Sequence, residues 1–491
     1  MERKRTRLIY TGVINFSLRL STAPLSFIFT YLVAHYLSNL PDGRVIFATW
    51  QSIFVLVMGY FTIPSDIFSL ITSRFASEDK PVGGIIIVNA IAGAISALVY
   101  SLIVPYLMET ITYIDPLAFY SATLLIITFY VYKIVTAITR GRTPLVIGIT
   151  ATVFQISRLV IVLVAFFLFR LTIIGVIIAY SIGYIIQTIL SLRYVKANLT
   201  IDFSVSKKII KKSIVTIIYY LQLIMEATIV WLTLIITHDP ITISYFESAL
   251  IISNIVTWSY SIYDGLIAKL SESKSADVVE TAVKLYFTIS TLFLSIVLIE
   301  SYPLLYHLRR DYTQALMAFI VLSVSNYLRG IYSIFYYSVI MKDKAMGFEE
   351  DNLKGYTAKL NISNIQFAVI GVIVSLILVY LFKWESAYIL ATLMTLGILI
   401  NSVWMSLSSY RVSKDLYSFK FPVKESLTSV LIGLITILLL FRFSIMNVSY
   451  MFMLIEGGLV ILVYASLSYF LNPFAKRIIK EGIKEVRKTL M

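Results

Sequence analysis

The sequence predicts an all-α polytopic membrane protein that crosses the bilayer about fourteen times. Three observations predict it. Of 491 residues, 59% are hydrophobic and only 14% charged, against roughly 45–50% and 25% in soluble domains. The mean hydropathy is +0.87. Apolar stretches of about 20 residues, the length that crosses a hydrocarbon core, follow one another along the whole chain with no long polar segment between them.

In order, the stretches are 9–36, 46–72, 83–107, 116–138, 145–169, 172–192, 213–236, 241–267, 281–302, 313–341, 359–382, 386–410, 425–441 and 449–471. The first follows the basic run MERKRTR. It exceeds the 7–15-residue core of a signal peptide, so it reads as a retained helix. Only Arg170, Leu171 and Thr172 separate the fifth and sixth stretches.

Charge sets the orientation. With the first residues inside, the inner segments and their flanks hold about 30 of the 41 Lys and Arg, and the outer loops about six. This asymmetry is the topogenic one. It predicts cytoplasmic termini in a cell membrane. It also accounts for the net charge of +14 through topology and anionic membrane lipids, which leaves no case for nucleic acid. With no cysteine, disulfides, thiolate metal sites and cysteine nucleophiles are excluded.

The longest inner connection, 193–212, is basic and carries KKIIKK at 207–212. It divides six spans from eight. The tail 472–491 spaces apolar residues helically among lysines, which predicts an amphipathic helix on the inner surface. A weak repeat is visible. Each half opens with a basic segment and a long first span, followed closely by His35 or His238. Parallel repeats of this kind are a transporter architecture.

Ionisable residues in spans usually face a bundle interior or a watery cavity. Polar stripes at helical spacing therefore locate candidate sites: Asn15, Arg19, Thr22 and Ser26; Thr62, Ser65, Asp66 and Ser69; Thr152, Gln155 and Arg158; Tyr219, Gln222 and Glu226; Asn254, Thr257, Ser261 and Asp264; Asn326, Arg329 and Ser333. Pro24 and Pro64 should bend the first two spans.

Arg19, Arg158 and Arg329 thus reach mid-depth. Arginine cannot shed its proton there, at a cost of about 2.5–3.5 kcal/mol on insertion scales. Its planar fork suits phosphate, so a cavity lined by arginines would draw a phosphate or pyrophosphate headgroup. The competing reading is an ion pair of Arg158 with Glu226 or Asp66. Lys133 reads as snorkelling to the inner surface, Glu300 as interfacial, Glu456 as either, and Asn361 and Asn364 as packing residues. Asn447-Val448-Ser449 is a glycosylation sequon in an outer loop.

No enzyme constellation appears: three histidines without metal-ligand spacing and no phosphate loop. No metal or cofactor is expected.

Several segments resemble the oligosaccharide flippases of the polysaccharide-biosynthesis family (Wzx type), in the superfamily that also holds multidrug extruders and lipid II flippases. They are AHYL at 34–37 before a turn ending in Gly43, TSRFASEDK at 72–80, TRGRTP at 139–144, Arg158, and GVIIAYSIGY at 175–184. The resemblance covers about 8–195 and, loosely, 205–410. It departs from the family at Leu40-Pro41-Asp42-Gly43, which lacks the usual Gly-Pro, and at AKLSE, 268–272, which lacks a proline.

The resemblance implies two six-helix lobes, 1–195 and 213–411, around a central cavity. The linker 196–212 would join them, with two additional helices in 412–471 and the tail 472–491 following. It implies a cargo of polyprenyl- or dolichyl-(pyro)phosphate-linked oligosaccharide, moved by alternating access. Partners would be the glycosyltransferases or oligosaccharyltransferase of the same pathway. Arg19 resembles, by position, the cationic cavity residue of lipid II flippases. Arg19, Arg158, Arg329, Asn15, Gln155 and Asn326 are the expected cavity residues, and Asp66 and Glu226 the coupling or ion-pair acids. The alternatives are a drug/cation antiporter of the same superfamily, using Glu226 and Asp66, and a membrane glycan polymerase or glycosyltransferase.

Overall fold

The computed structural model describes residues 22, 24–110, 115–195, 197–261, 266, 270, 275–343, 355–446, 448–478 and 480. The described residues are overwhelmingly helical and contain no strand. Thirteen helices among them are long and apolar enough to cross a membrane. The first expected span is described from its middle onward, as helix α1 over 24–38. Arg19 and Asn15 lie outside the described residues, as do Asp264 and most of the tail.

Two expected spans are not continuous helices. The second is α2 (Gly43–Leu56), a wide turn at Val57–Phe61, a tight turn at Ile63–Asp66 and α3 (Ser69–Ser77). Pro64 cannot donate to the ladder, and the chain breaks around it. The eighth is α10 (Pro240–Ser253), which tightens into a 3₁₀ segment, Asn254–Ser261. Tightened or widened turns often mark functional segments, and both of these face the cavity described below.

The rest of the first half is α4 (Gly83–Thr110), α5 (Pro116–Arg142), α6 (Pro144–Phe167) and α7 (Ile173–Tyr194). The abrupt turn between α6 and α7 is made by Arg170 at φ 51°, with Leu171 N–H bonded to Ala165 O at 2.9 Å, a left-handed helix stop. The basic connection is not wholly a loop. Asp202 caps a short amphipathic helix, α8 (Phe203–Lys212), by accepting from the backbone N–H of Ser204. That bond and the Ser204 hydroxyl hold the Asp202 carboxyl below its ordinary value.

The second half comprises α9 (Ile214–Thr237), α10, α11 (Ala276–Ile299), α12 (Ser301–Leu308), α13 (Leu316–Lys342), α14 (Tyr356–Leu381) and α15 (Ala387–Tyr417). Last come α16 (Val423–Met446) and α17 (Tyr450–Leu471).

Within the first half α5 packs on α3, α4 and α7, and α6 on α7; within the second, α15 packs on α13 and α14, and α14 on α9. The halves meet where α10 crosses α2 and where α9 touches the 57–66 turns. Lipid tails are as apolar as leucine, so close backbone approach drives such packing. At the α14–α15 contact, a Cβ on Gly397 would lie 1.9 Å from Gly371 O. α16 and α17 pack on α11. Their outward residues, Leu438, Leu454 and Phe470, are exposed, as a lipid-facing surface requires.

Candidate functional site

A cavity of about 850 Å³ lies between the halves. Its walls are α1 (Thr22, Ser26, Phe29, Thr30), α2 and the wide turn (Trp50, Gln51, Phe54, Gly59), α6 (Gln155), α7 (Tyr180), and α10 with its 3₁₀ extension (Glu247, Asn254, Thr257, Trp258, Tyr260). Both irregular segments therefore face it. Gly59 is required where the halves touch, since a Cβ there would sit 2.8 Å from Ala227 Cβ.

Arg158 stands directly behind this wall. It is 4% exposed. One terminal nitrogen donates to Ser26 Oγ at 2.8 Å. The guanidinium centre lies 4.2 Å from the Phe29 ring, 4.9 Å from Phe154 and 5.0 Å from Tyr180. Its Nε has no partner. Among the described residues no carboxylate pairs with it, so neither expected acid, Glu226 or Asp66, is its partner. Gln155, one turn earlier on α6, lines the cavity with Oε1 unpartnered.

The other candidates are placed differently. Arg329 donates to Glu226 at 2.6 Å and to Ser402 Oγ at 3.0 Å. Glu226 also accepts from Asn401 and, at 3.4 Å, from Gln222. This ion-paired network ties α9, α13 and α15 together, and none of its residues lines the cavity. Asn326 lies behind the wall and donates to Ser253 Oγ at 3.2 Å and Asn254 Oδ1 at 3.3 Å. Asp66 pairs with Lys133 at 2.7 Å and accepts from Ser69, so Lys133 turns into the bundle rather than snorkelling. Glu300 directly follows the end of α11 and is 3% exposed.

Sequence reasoning missed Glu247. It is 4% exposed, lines the cavity and leaves Oε1 unpartnered. A signal was present, because Glu247 precedes Asn254 by seven residues and so shares its helix face.

Beyond Thr30 and Val33, α1 is bound to the second half. Tyr31 and Tyr450 share a hydroxyl hydrogen bond at 2.8 Å, His35 Nδ1 donates to His307 O at 2.8 Å, and Arg309 donates to Ser38 O. The His307 ring stacks on Tyr450 at 3.7 Å. Burial, with His35 nearby, lowers the His307 imidazole below its ordinary value. This knot lies on α1 beyond the residues that line the cavity and ties α1 to α12 and α17.

No family model and no curated sequence matches the chain. Solved structures do. The lipid II flippase MurJ in an inward closed conformation superposes with TM-score 0.60 at 14% identity, over 94% of this chain and 99% of that one. A MOP-superfamily transporter from Pyrococcus furiosus, described as having a binding pocket of reversed polarity, gives 0.56 at 14%, over 82% and 96%. The Vibrio cholerae MATE transporter VcmN in its bent form gives 0.55 at 13%, over 84% and 100%. The chain is thus similar to these proteins in fold, the all-α polytopic architecture of MOP-superfamily transporters.

Proposed function

We propose that this protein is a flippase that moves a lipid-phosphate- or pyrophosphate-linked oligosaccharide across the cytoplasmic membrane by alternating access. The observation that carries the reading is Arg158. A permanently charged group is held beside an inter-half cavity with one nitrogen unpartnered and, among the described residues, no carboxylate paired with it. Burying such a charge is costly unless a counter-charge arrives. A phosphate entering the cavity supplies it, and the planar fork donates to two of its oxygens. Ser26 is shared between Arg158 and the cavity wall, and Phe29 and Tyr180 form the lid over the guanidinium. The lipid tail stays in the bilayer while the glycan crosses. Arg19, eleven residues into the same span as Ser26, would add a second cation.

Coverage supports this reading. The flippase matches 94% of this chain and the MATE transporters 82–88%, a margin of about one to two helices, and additional helices at 412–471 would account for it. We place the termini in the cytoplasm on the charge pattern. Enzymes that build or consume the glycan are the expected partners.

One observation favours a second reading. Glu247 is the sole carboxylate on the described wall, among aromatic rings, and a carboxylate with aromatic faces suits an organic cation. The test is reconstitution in liposomes carrying a labelled polyprenyl-pyrophosphate oligosaccharide in one leaflet. Arg158-dependent crossing supports the flippase. No crossing, with uptake of an organic cation that Glu247→Gln abolishes, replaces it with the antiporter.

A further inference from the structure

Two acids outside the cavity have no role in this reading. Glu300 follows α11, and Glu456 lies in the second turn of α17. They are 3% and 2% exposed, and all four carboxyl oxygens lack a hydrogen-bond partner. The helices bring them together. α17 runs antiparallel to α11 and buries one stripe against it, Glu456, Val460, Tyr464 and Ser468. Tyr464 donates to Thr288 O at 2.8 Å, which fixes the register. Two turns nearer the start of α17, the same register sets Glu456 beside the last turn of α11, which Glu300 follows directly.

A buried carboxylate without donors or a cation is among the least favourable groups a membrane protein can hold. Two such groups within interaction range cannot both be ionised, and they titrate as a pair. Nothing described around them supplies the missing charge. The titratable groups on the neighbouring elements are Tyr302, Tyr306 and His307 on α12, Tyr450 on α17, and Tyr31 and His35 on α1. Of these, Tyr31, His307 and Tyr450 are already engaged with one another. Arg442 on α16 has its side chain outside the described residues.

We propose that Glu300 and Glu456 form an exchangeable proton site at the junction of α11, α12 and α17. The pair holds a proton while the knot of α1 against α12 and α17 is closed. It releases the proton when the knot opens and water reaches the carboxyls. The site does not depend on what the cavity carries. It gives the α16–α17 pair a task in the transport cycle, since α17 supplies one of the two acids. The pair is a place where a proton gradient can act on the equilibrium between the closed and open knot.

The test uses the full chain in liposomes and needs no cargo. Dicyclohexylcarbodiimide, an apolar carbodiimide, adds to protonated carboxyls in apolar surroundings, and the adduct is located by mass spectrometry. The proposal expects adducts on Glu300 or Glu456 at low pH that disappear over about two pH units as the pH rises. It expects Glu456→Gln to shift the midpoint of Glu300 labelling by a unit or more, because the coupling is gone. Absence of adducts on both residues between pH 5 and 9 overturns it, and so does labelling that pH does not change. Protection by Na⁺ at constant pH overturns the proton assignment in favour of a sodium site. Labelling that appears only in Arg442→Gln reveals an ion pair and also overturns it. If Glu456→Gln fails to fold, Glu300→Gln, read by the midpoint of Glu456 labelling in the same pH series, serves in its place.

Discussion

Replacing Arg158 by methionine separates a cargo-binding arginine from a structural one. Three aromatic faces lie within 5.0 Å of the guanidinium. At about 0.5–2 kcal/mol each, with about 1.5–3 kcal/mol for the bond to Ser26, they stabilise the group by roughly 3–9 kcal/mol. Desolvating an unpaired charge costs several kcal/mol. The two nearly cancel, and methionine fills the same volume among the rings without the charge. Arg158→Met should therefore change unfolding stability in detergent by no more than about 2 kcal/mol.

Its effect on transport should be far larger. Losing two charge-assisted bonds to phosphate, at about 1.5–3 kcal/mol each, should slow crossing by roughly 10²–10⁴-fold. Arg158→Lys keeps the charge and loses the fork, so it should recover only part of the rate. The assay is leaflet crossing of labelled lipid-linked oligosaccharide beside thermal unfolding of the same preparations. Two results refute the reasoning: Arg158→Met crossing within tenfold of the native rate, or Arg158→Met unfolded under conditions where the native chain is stable.

Other outcomes follow from the second half and from the seams. Glu226→Gln leaves Arg329 charged and without its partner in a partly buried site and should destabilise the protein by about 1–3 kcal/mol. Arg329→Gln should cost less, because Glu226 can take up a proton where arginine cannot lose one, and the double change to methionine should restore most of the loss; thermal melts of the three check this. Asp66→Asn should cost about 1–2 kcal/mol, since the Lys133 pair is only partly buried, read by the same melts. Gly59→Val should push Ala227 away and weaken the contact between the halves, seen as faster crosslinking of cysteines placed across the cavity. The His307 imidazole is depressed in the folded state, so its contribution to stability is full above its unfolded value of about 6.5 and lost as the pH falls below it. His307→Phe keeps the stack on Tyr450 and should reduce the loss of melting temperature between pH 7 and 5.

The fold was legible because hydropathy and Lys/Arg placement act on whole segments, and summed preferences over 20 residues dominate local exceptions. The exceptions lay where a single residue acts. Pro64 signalled a bend, but the wide turn at 57–61 carries no composition that separates it from helix. The 3₁₀ tightening after Ser253 is equally silent, because Asn254, Ile255 and Val256 are all tolerated in a helix. For the site, spacing identified the faces correctly around Gln155 and Arg158 but not the partners. Arg158 and Arg329 look alike in sequence, each three residues after a polar amide. One meets three rings and the other a carboxylate, and that difference arises from which helices cross, which periodicity does not encode. Glu247 was hidden by its position two turns nearer the start of α10 than the polar stripe that drew attention.

Glu247 also supplies the sharpest argument about polarity. A sphere of 850 Å³ is about 12 Å across. A carboxylate on one wall repels a phosphate held at the other by about 1.4 kcal/mol at an effective dielectric of 20. If the cargo is anionic and Glu247 is ionised when it binds, Glu247→Gln should raise its affinity about tenfold, and adding Arg158→Met should then remove binding altogether. If the cargo is cationic, the signs reverse: Glu247→Gln abolishes binding and Arg158→Met improves it by a similar factor. If Glu247 is protonated throughout the cycle, glutamine changes neither. The two single changes and their double, titrated with one phosphate-bearing and one ammonium-bearing ligand, thus read the polarity of the cavity from the sign of each effect, without knowledge of the natural glycan.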